Sequence, residues 1–325
     1  MDYTWDSILI DPEKEVDNIV KKIRYAVSHI LKKRGAVLGV SGGVDSSVCL
    51  ALTALALGND KVLALLLPEK ESSLENNSLV DRLLLKYKVN SIAEDLTNAL
   101  QGFGCYERRD EAVKNVFPDY NLGYKMKIVL PQDDFSDDIL NFFNLEIISP
   151  AGEIKRARLP HKEYLQIMAS SNFKQRSRMS MLYHHAELRN YAVIGTPNKN
   201  EHEQGFFVKY GDSGADIKPI VHLFKTQVYQ IAEYLGIPEE IVKRKPTSDT
   251  YSAEQTQEEF FFKLPFDLLD RIWYGWENDI PAPEIANVLN ITVDQVNNVI
   301  KDIKRKKNTT EYLRKQPLDI NSIPD

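Results

Sequence analysis

A short apolar run at residues 36–40 breaks into Gly39-Val40-Ser41-Gly42-Gly43-Val44-Asp45-Ser46-Ser47 and resumes as an apolar helical stretch at 46–57. Strand, glycine turn and helix in such close succession open a parallel α/β unit. Ahead of it, Val16, Ile19, Val20, Ile23, Val27, Ile30 and Leu31 recur at helical spacing behind Asp11 and Pro12. They predict an amphipathic helix over 13–33, stopped at Gly35. The rhythm continues with strands at 61–67 and 91–94 flanking a helix at 76–86. Further on come a long helix at 161–188, a strand at 191–195 and a helix at 225–235. This alternation predicts a doubly wound parallel sheet, Rossmann-like, with right-handed crossovers that bring loops 41–46 and 196–201 to one edge.

Residues 101–159 interrupt the pattern with Pro118, Pro131, an acidic run at 133–138 and alternating segments at 144–148 and 153–158 joined through Pro150. They read as an insertion carrying a small hairpin, set apart from the main sheet. Residues 255–325 read as a mainly helical C-terminal part of the same single domain, 1–325. The 325 residues carry 41 Lys plus Arg against 47 Asp plus Glu, a net charge of −6, which argues against a general polyanion-binding surface. Two cysteines, Cys49 and Cys105, exclude a disulfide scaffold and point to a reducing compartment. No leader pattern and no apolar run near the ~20 residues of a membrane span is visible, so the expected location is cytoplasmic, with no membrane partner. The six histidines are scattered, and His184 and His185 point in different directions on one helix; none reads as a zinc ligand.

The turn after the first strand carries the chemistry. Glycines let the backbone approach an anion, and the hydroxyls, amides and positive helix end supply donors for phosphate. A plain helix-capping turn would not require Ser41, Asp45, Ser46 and Ser47 together. The segment lacks the Gly-Lys-Ser/Thr ending of a Walker A loop. Asp45 beside bound phosphate calls for a cation between them, which suggests Mg²⁺.

These residues resemble the SGGxDS loop of the ATP pyrophosphatases, which cleave ATP between its α and β phosphates. FKQRSRM at 173–179, GTPNKNE at 195–201, GFFVKYGDSGAD at 205–216, Pro219, LFKTQ at 223–227 and KPTSD at 245–249 follow in that order. Together they resemble the NAD synthetase family over about 13–100 and 165–250. The resemblance implies an adenine nucleotide alpha-hydrolase-like fold. It implies ATP contacts from Gly39, Val40, Ser41, Gly42, Gly43, Val44, Asp45, Ser46, Thr196, Lys225 and Thr247, and Mg²⁺ ligands at Asp45 and Glu201. Arg176, Lys209 and Asp216 are then expected against nicotinic acid adenine dinucleotide. Asp212 is expected near ammonia, and Asp212 and Lys225 are the candidate catalytic residues. Without that context, Gly211–Asp216 would read as an ordinary turn.

The implied reaction has two halves. A substrate carboxylate attacks the α-phosphate of ATP, releasing pyrophosphate, and ammonia then displaces AMP from the acyl-adenylate. The residues ahead of Gly39 leave no room for a glutaminase domain, so the expected nitrogen donor is free ammonia or a separate glutaminase. Cys49 reads as core and Cys105 lacks an activating pattern. The resemblance also implies a homodimer with contacts around 172–188.

Two departures from the family pattern bear on the substrate: the length of 101–159, and Tyr312-Leu313 where a His-Lys pair is usual. Pro197 and Lys199, with YSAEQTQEE at 251–259, are further candidates for tuning. A sister ligase amidating a different small carboxylate is therefore the alternative. A sulfur- or nitrogen-inserting RNA-modifying ligase is another, but neither an RNA-binding domain nor a cysteine pair is evident. Residues 280–303, followed by the basic 304–307, also resemble a helix-turn-helix that could bind nucleic acid, although paired short helices are common packing units.

Overall fold

Ala36, Val37 and Leu38 in strand β1 (Gly35–Gly39) have no solvent exposure on either side of the sheet. A strand that is apolar on both faces belongs between two helical layers. In the computed structural model, which describes residues 3–72, 75–129, 143–246, 251–253 and 255–322, β1 is central. It pairs in parallel with β2 (Val62–Leu66), which pairs in turn with β3 (Asn90–Ala93). Later strands are numbered in chain order: β4 (Lys125–Val129), β5 (Asn144–Ile148) and β6 (Ile154–Arg158) lie elsewhere, and β7 (Tyr191–Val193) closes on the free side of β1. The resulting order β3-β2-β1-β7 reverses direction between β1 and β7. Such a reversal opens a crevice at the carboxyl ends of the strands, where α/β proteins bind ligands.

Side chains alternate across β1. Ala36 and Leu38 pack with α1 (Pro12–Tyr25), α2 (Val44–Leu57), α3 (Glu75–Tyr87) and a later helix, α8 (Lys225–Tyr234), through Ile19, Ile23, Val48, Leu52, Leu83 and Ile231. Val37 faces the opposite layer, where Leu182 and Ala186 of α6 (His161–Arg189) meet Leu100 of α4 (Thr97–Gly102) and Tyr106 of α5 (Cys105–Val116). Gly35 is fixed by close packing, since a Cβ there would fall 2.3 Å from the Lys61 carbonyl and 2.6 Å from the Tyr191 ring.

The hairpin expected at 144–158 forms, and β4 adds a third antiparallel strand in the order β4-β5-β6. This small sheet has its own core around Met126, Ile128, Leu145 and Ile147. The first part of 101–159 is joined to both sheets: α4 and the start of α5, through Leu100, Cys105 and Tyr106, pack in the helical layer of the main sheet, whereas Ala112 and Val113 of α5 belong to the core of the small sheet. The acidic run at 133–138 lies outside the described residues.

After α7 (Lys199–Gln204), α8 and α9 (Glu239–Val242), the C-terminal part folds as α10 (Phe266–Glu277), α11 (Ala282–Leu289), α12 (Val293–Thr309) and α13 (Glu311–Arg314). Trp273, Ile272, Ile285, Val296 and Ile303 form its core, which includes Phe224 just before α8. The pair read as a helix-turn-helix is α11 and α12, packed on α10. Its basic run is engaged internally: Arg305 and Lys306 pair with Asp302, Lys307 pairs with Glu203, and Lys304 sits over Trp276. Among the described residues, no helix is long and apolar enough to cross a membrane.

Candidate active site

The crevice at the β1/β7 reversal is a cavity of about 1040 Å³. Gly39, Val40, Ser41, Gly43, Val44, Asp45 and Ser46 line it from the turn between β1 and α2. Gly42 is not among the lining residues; its φ of 80° lets the turn form where an L side chain would be strained. The Ser46 hydroxyl donates to the Gly43 carbonyl at 3.0 Å and accepts from the Ser41 amide at 3.3 Å. The turn is thereby closed on itself at the amino end of α2.

On the other side of the crevice, the loop after β7 contributes Thr196, Pro197 and Glu201 to the lining. Asn198 caps α7: its side-chain oxygen accepts from the Glu201 amide at 3.0 Å, and its own amide donates to Glu201 Oε2 at 3.1 Å. Its remaining amide group donates to Asp45 Oδ1 at 2.9 Å. One fully buried asparagine therefore aligns two carboxylates from separate segments. Burial, with the nearby Asp45 charge, pushes the Glu201 carboxyl up to about 8, against the opposing pull of Lys225. Gln257 Nε2 donates to Glu201 Oε1 at 3.2 Å.

Lys225, at the start of α8, is wholly buried and its ammonium group pairs with Asp45 Oδ2. Its backbone amide donates to Asn200 Oδ1 at 3.0 Å. Asn200 Nδ2 donates to Asp270 Oδ1 at 2.5 Å, and Asp270 Oδ2 accepts from the Thr226 amide at 2.8 Å. Burial pushes the Asp270 carboxyl up to about 6.

Asp212, Arg176 and Lys209 line the same cavity. Asp212 accepts from the Val208 amide at 2.7 Å, and burial pushes its carboxyl up to about 6. Arg176 Nε donates to the Lys209 carbonyl at 3.2 Å, and Lys209 Nζ donates to the Tyr312 carbonyl at 2.9 Å. Tyr312 and Leu313, which stand where a His-Lys pair was expected, thus border the site through a main-chain contact. Asp216 is placed differently. Its carboxylate accepts from the Val193 amide at 2.8 Å and from the Tyr183 hydroxyl at 3.1 Å, and it does not line the cavity. Thr247 lies outside the described residues.

Lys199, named as a candidate for tuning the site, turns away from the cavity. It pairs with Glu277 at 2.6 Å and Glu203 at 3.4 Å, over the ring of Phe224. Cys49 is fully buried below the turn, and burial raises its thiol well above the usual range, which leaves it inert. His185 is buried and pairs with Glu94 at 3.0 Å.

Sequence reading missed the residues that hold the site: Asn198, Asn200, Asp270 and the network beside β2. Asn198-x-x-Glu201 does carry a capping-box signature. In the network, Lys174 of α6 bonds Glu69 at 3.1 Å and Glu71 at 2.6 Å. Arg109 of α5 bonds Glu71 at 2.6 Å, and the Tyr106 hydroxyl donates to Glu69 at 2.6 Å. Helix α5 is tied in this way to the loop after β2, whose Leu67, Pro68 and Ser72 line the cavity.

The NAD synthase family model matches residues 15–129 and 139–317. The NH(3)-dependent NAD(+) synthetase of Rhizobium rhizogenes is 44% identical over 318 residues, covering 98% of this chain and 96% of that protein. That of Mesorhizobium japonicum is 45% identical over 311 residues, covering 96% and 97%. Among solved structures, NMN synthetase from Francisella tularensis superposes with a TM-score of 0.66 at 20% identity over 96% of this chain and all of that one. NH3-dependent NAD synthetase from Campylobacter jejuni, in complex with nitrate, gives 0.62 at 22% identity over the same shares. At those identities the two structures speak for the fold alone.

Proposed function

The chain belongs to the NAD synthase family, and from that premise we propose that it is an ammonia-dependent NAD synthetase acting on nicotinic acid adenine dinucleotide. It is an ATP-dependent ligase that forms a C–N bond. The observation that carries the reading is the convergence on one cavity of the glycine turn, the Lys225–Asp45 pair and Glu201.

ATP phosphates would lie on the turn, against Ser41, Ser46 and the amino end of α2, where donors and the helix dipole favour anions. Thr196 and Thr247 are further ATP contacts in this reading. Mg²⁺ fits the donor set: Asp45 and Glu201 are hard oxygen ligands from separate elements, aligned by Asn198. The upward push on Glu201 is a penalty that a divalent cation would relieve. Among the described residues no group of three or more His, Cys, Asp and Glu side chains is arranged to hold a metal, so phosphate oxygens and water would complete the shell. When bound, the ion supplies neutralisation of phosphate charge.

The residues of the chain then bind, orient and move protons. Lys225 neutralises charge developing as the carboxylate attacks the α-phosphate and pyrophosphate leaves. Arg176 and Lys209 hold the dinucleotide in this reading. Ammonium at the site gives a proton to Asp212, whose raised carboxyl suits that exchange, and the resulting ammonia attacks the acyl carbon and expels AMP. Asp216, bonded to Tyr183 on α6, is suited to the substrate only from the outer face of that helix, as a homodimer joined around 172–188 would allow.

The test is turnover with ATP, Mg²⁺ and ammonium, offering nicotinic acid adenine dinucleotide and other small carboxylates in parallel. NAD, AMP and pyrophosphate formed in equal amounts from the dinucleotide alone support the reading. Amidation of a different acid in its place refutes the substrate assignment.

A further inference from the structure

Three hydrogen bonds tie the start of α8 to the C-terminal helices. Helix α8 begins after Phe224, which has no side chain able to cap it, so the first amides of the helix need partners from elsewhere. Asn200 Oδ1 takes the Lys225 amide at 3.0 Å and Asp270 Oδ2 takes the Thr226 amide at 2.8 Å. Asp270 Oδ1 accepts from Asn200 Nδ2 at 2.5 Å, closing the chain of bonds. Asp270 and Asn200 have no solvent exposure, so their bonds are made away from bulk water and each polar group depends on its partner in the chain. Helix α10 holds α7 a second time, two turns further on, through Lys199 and Glu277 at 2.6 Å. Asn200 precedes Glu201, and Lys225 bears the ammonium group bonded to Asp45.

We propose that Asp270 is a positioning residue for the ligase reaction: its carboxylate, through Asn200 and Thr226, fixes Lys225 and the Glu201 helix against the phosphate turn. The inference rests on the function proposed above. It assigns the C-terminal helices a part in catalysis although Asp270 is absent from the cavity lining. A carboxylate suits the position because both of its oxygens must accept. An asparagine could serve Thr226, but its amide group would face the Asn200 amide group. If Asn200 turned over in response, its amide group would face the Lys225 N–H. One donor is left opposing another in either arrangement.

The paired exchange Asp270→Asn with Asn200→Asp restores every bond. The side-chain oxygen that D270N retains accepts from the Thr226 amide, and its new amide group donates across to position 200. There the carboxylate introduced by N200D accepts that bond on one oxygen and the Lys225 amide on the other. The expected result is that D270N lowers kcat by about 10- to 100-fold, as small displacements of positioned groups do, with a smaller change in KM for ATP. Rates are taken per MgATP site counted by calorimetry, so that a loss of folded protein does not register as a loss of rate. The double exchange is expected to return the per-site rate to within about threefold of the parent, which a simple cavity or docking defect would not do.

Two results overturn the proposal: D270N with the parent per-site kcat, or a double exchange as impaired as D270N, whether by rate or by misfolding. Failure of the parent to amidate nicotinic acid adenine dinucleotide would instead refute the proposed function. Asp270 would then be judged on MgATP affinity by the same calorimetry. Weakening in D270N with recovery in the double exchange supports the positioning role, and any other pattern overturns it.

Discussion

The ammonium group of Lys225, shut off from solvent, is bonded to the carboxylate of Asp45, 180 residues earlier in the chain. The bond joins the first turn of α2 to the first turn of α8 across the β1/β7 crevice. Removing one member of a buried pair strands the other, at about 3–5 kcal/mol when both are fully enclosed. Asp45 opens partly on the cavity, so the penalty is smaller here. Lys225→Met is expected to lower stability in urea by about 1–3 kcal/mol and to reduce kcat at least about 100-fold.

Asn198→Ala removes the bond to Asp45 and the side-chain cap on the Glu201 amide, and leaves only the backbone N–H of residue 198 on Glu201 Oε2. Asp45 is no longer linked to Glu201 through one side chain, while both carboxylates keep their charge. Binding of Mn²⁺ as a probe for Mg²⁺, followed by electron paramagnetic resonance in the presence of ATP, is expected to weaken about 10- to 100-fold, the range for lost outer-shell partners. Unchanged affinity would remove Asn198 from the site.

Asp212 titrates at about 6, above its ordinary 3.8, so folding favours its protonated form. Its contribution to stability is therefore greatest below pH 3.8 and is lost as pH rises through about 6. Asp212→Asn can keep the bond from Val208 without the buried charge. It is expected to be about 3 kcal/mol more stable than the parent at neutral pH, with the difference vanishing in acid. Amide formation should be lost while ATP binding is retained. In the parent, amide formation should fall about tenfold per pH unit below pH 6. Wild-type turnover by the variant would dismiss the role.

Glu71 responds with the opposite sign. Burial alone would raise its carboxyl, but Arg109 and Lys174 outweigh burial and hold it at about 2 against an ordinary 4.5. The stability it contributes is complete above pH 4.5 and is lost as pH falls towards 2. That contribution is on the order of 3 kcal/mol. Glu71→Gln should lower stability at pH 7 by about that amount and flatten the acid limb of the stability profile below pH 4.5, measured by urea unfolding across pH. An unchanged profile would show that the network does not hold the loop after β2.

The sheet and the phosphate turn were legible because local rules and tertiary packing agree there. The residues 36–40 are apolar in a continuous run, as a central strand must be, and the glycines that follow serve both a tight turn and an anion. That Asp45 and Glu201 come to one cavity was legible through motif resemblance. Asp270 and Asn200 were not, because their meaning lies in contacts 70 residues apart, with no periodicity or spacing to mark them. Tyr106 and Arg109 fall within 101–159, which the sequence marks only as an interruption of the α/β pattern. Their role depends on meeting Glu69, Glu71 and Lys174 from two other elements. Lys199 shows the converse, since its place in the loop suggested tuning of the site, whereas acidic partners on α7 and α10 claim its charge.

The most direct test of the account follows the oxygen. Nicotinic acid adenine dinucleotide labelled with ¹⁸O in its carboxylate is turned over with ATP, Mg²⁺ and ammonium, and the products are read by mass spectrometry. Attack on the α-phosphate predicts NAD together with AMP bearing one ¹⁸O and pyrophosphate bearing none. Label in inorganic phosphate with ADP as the nucleotide product, or AMP without label, would contradict it.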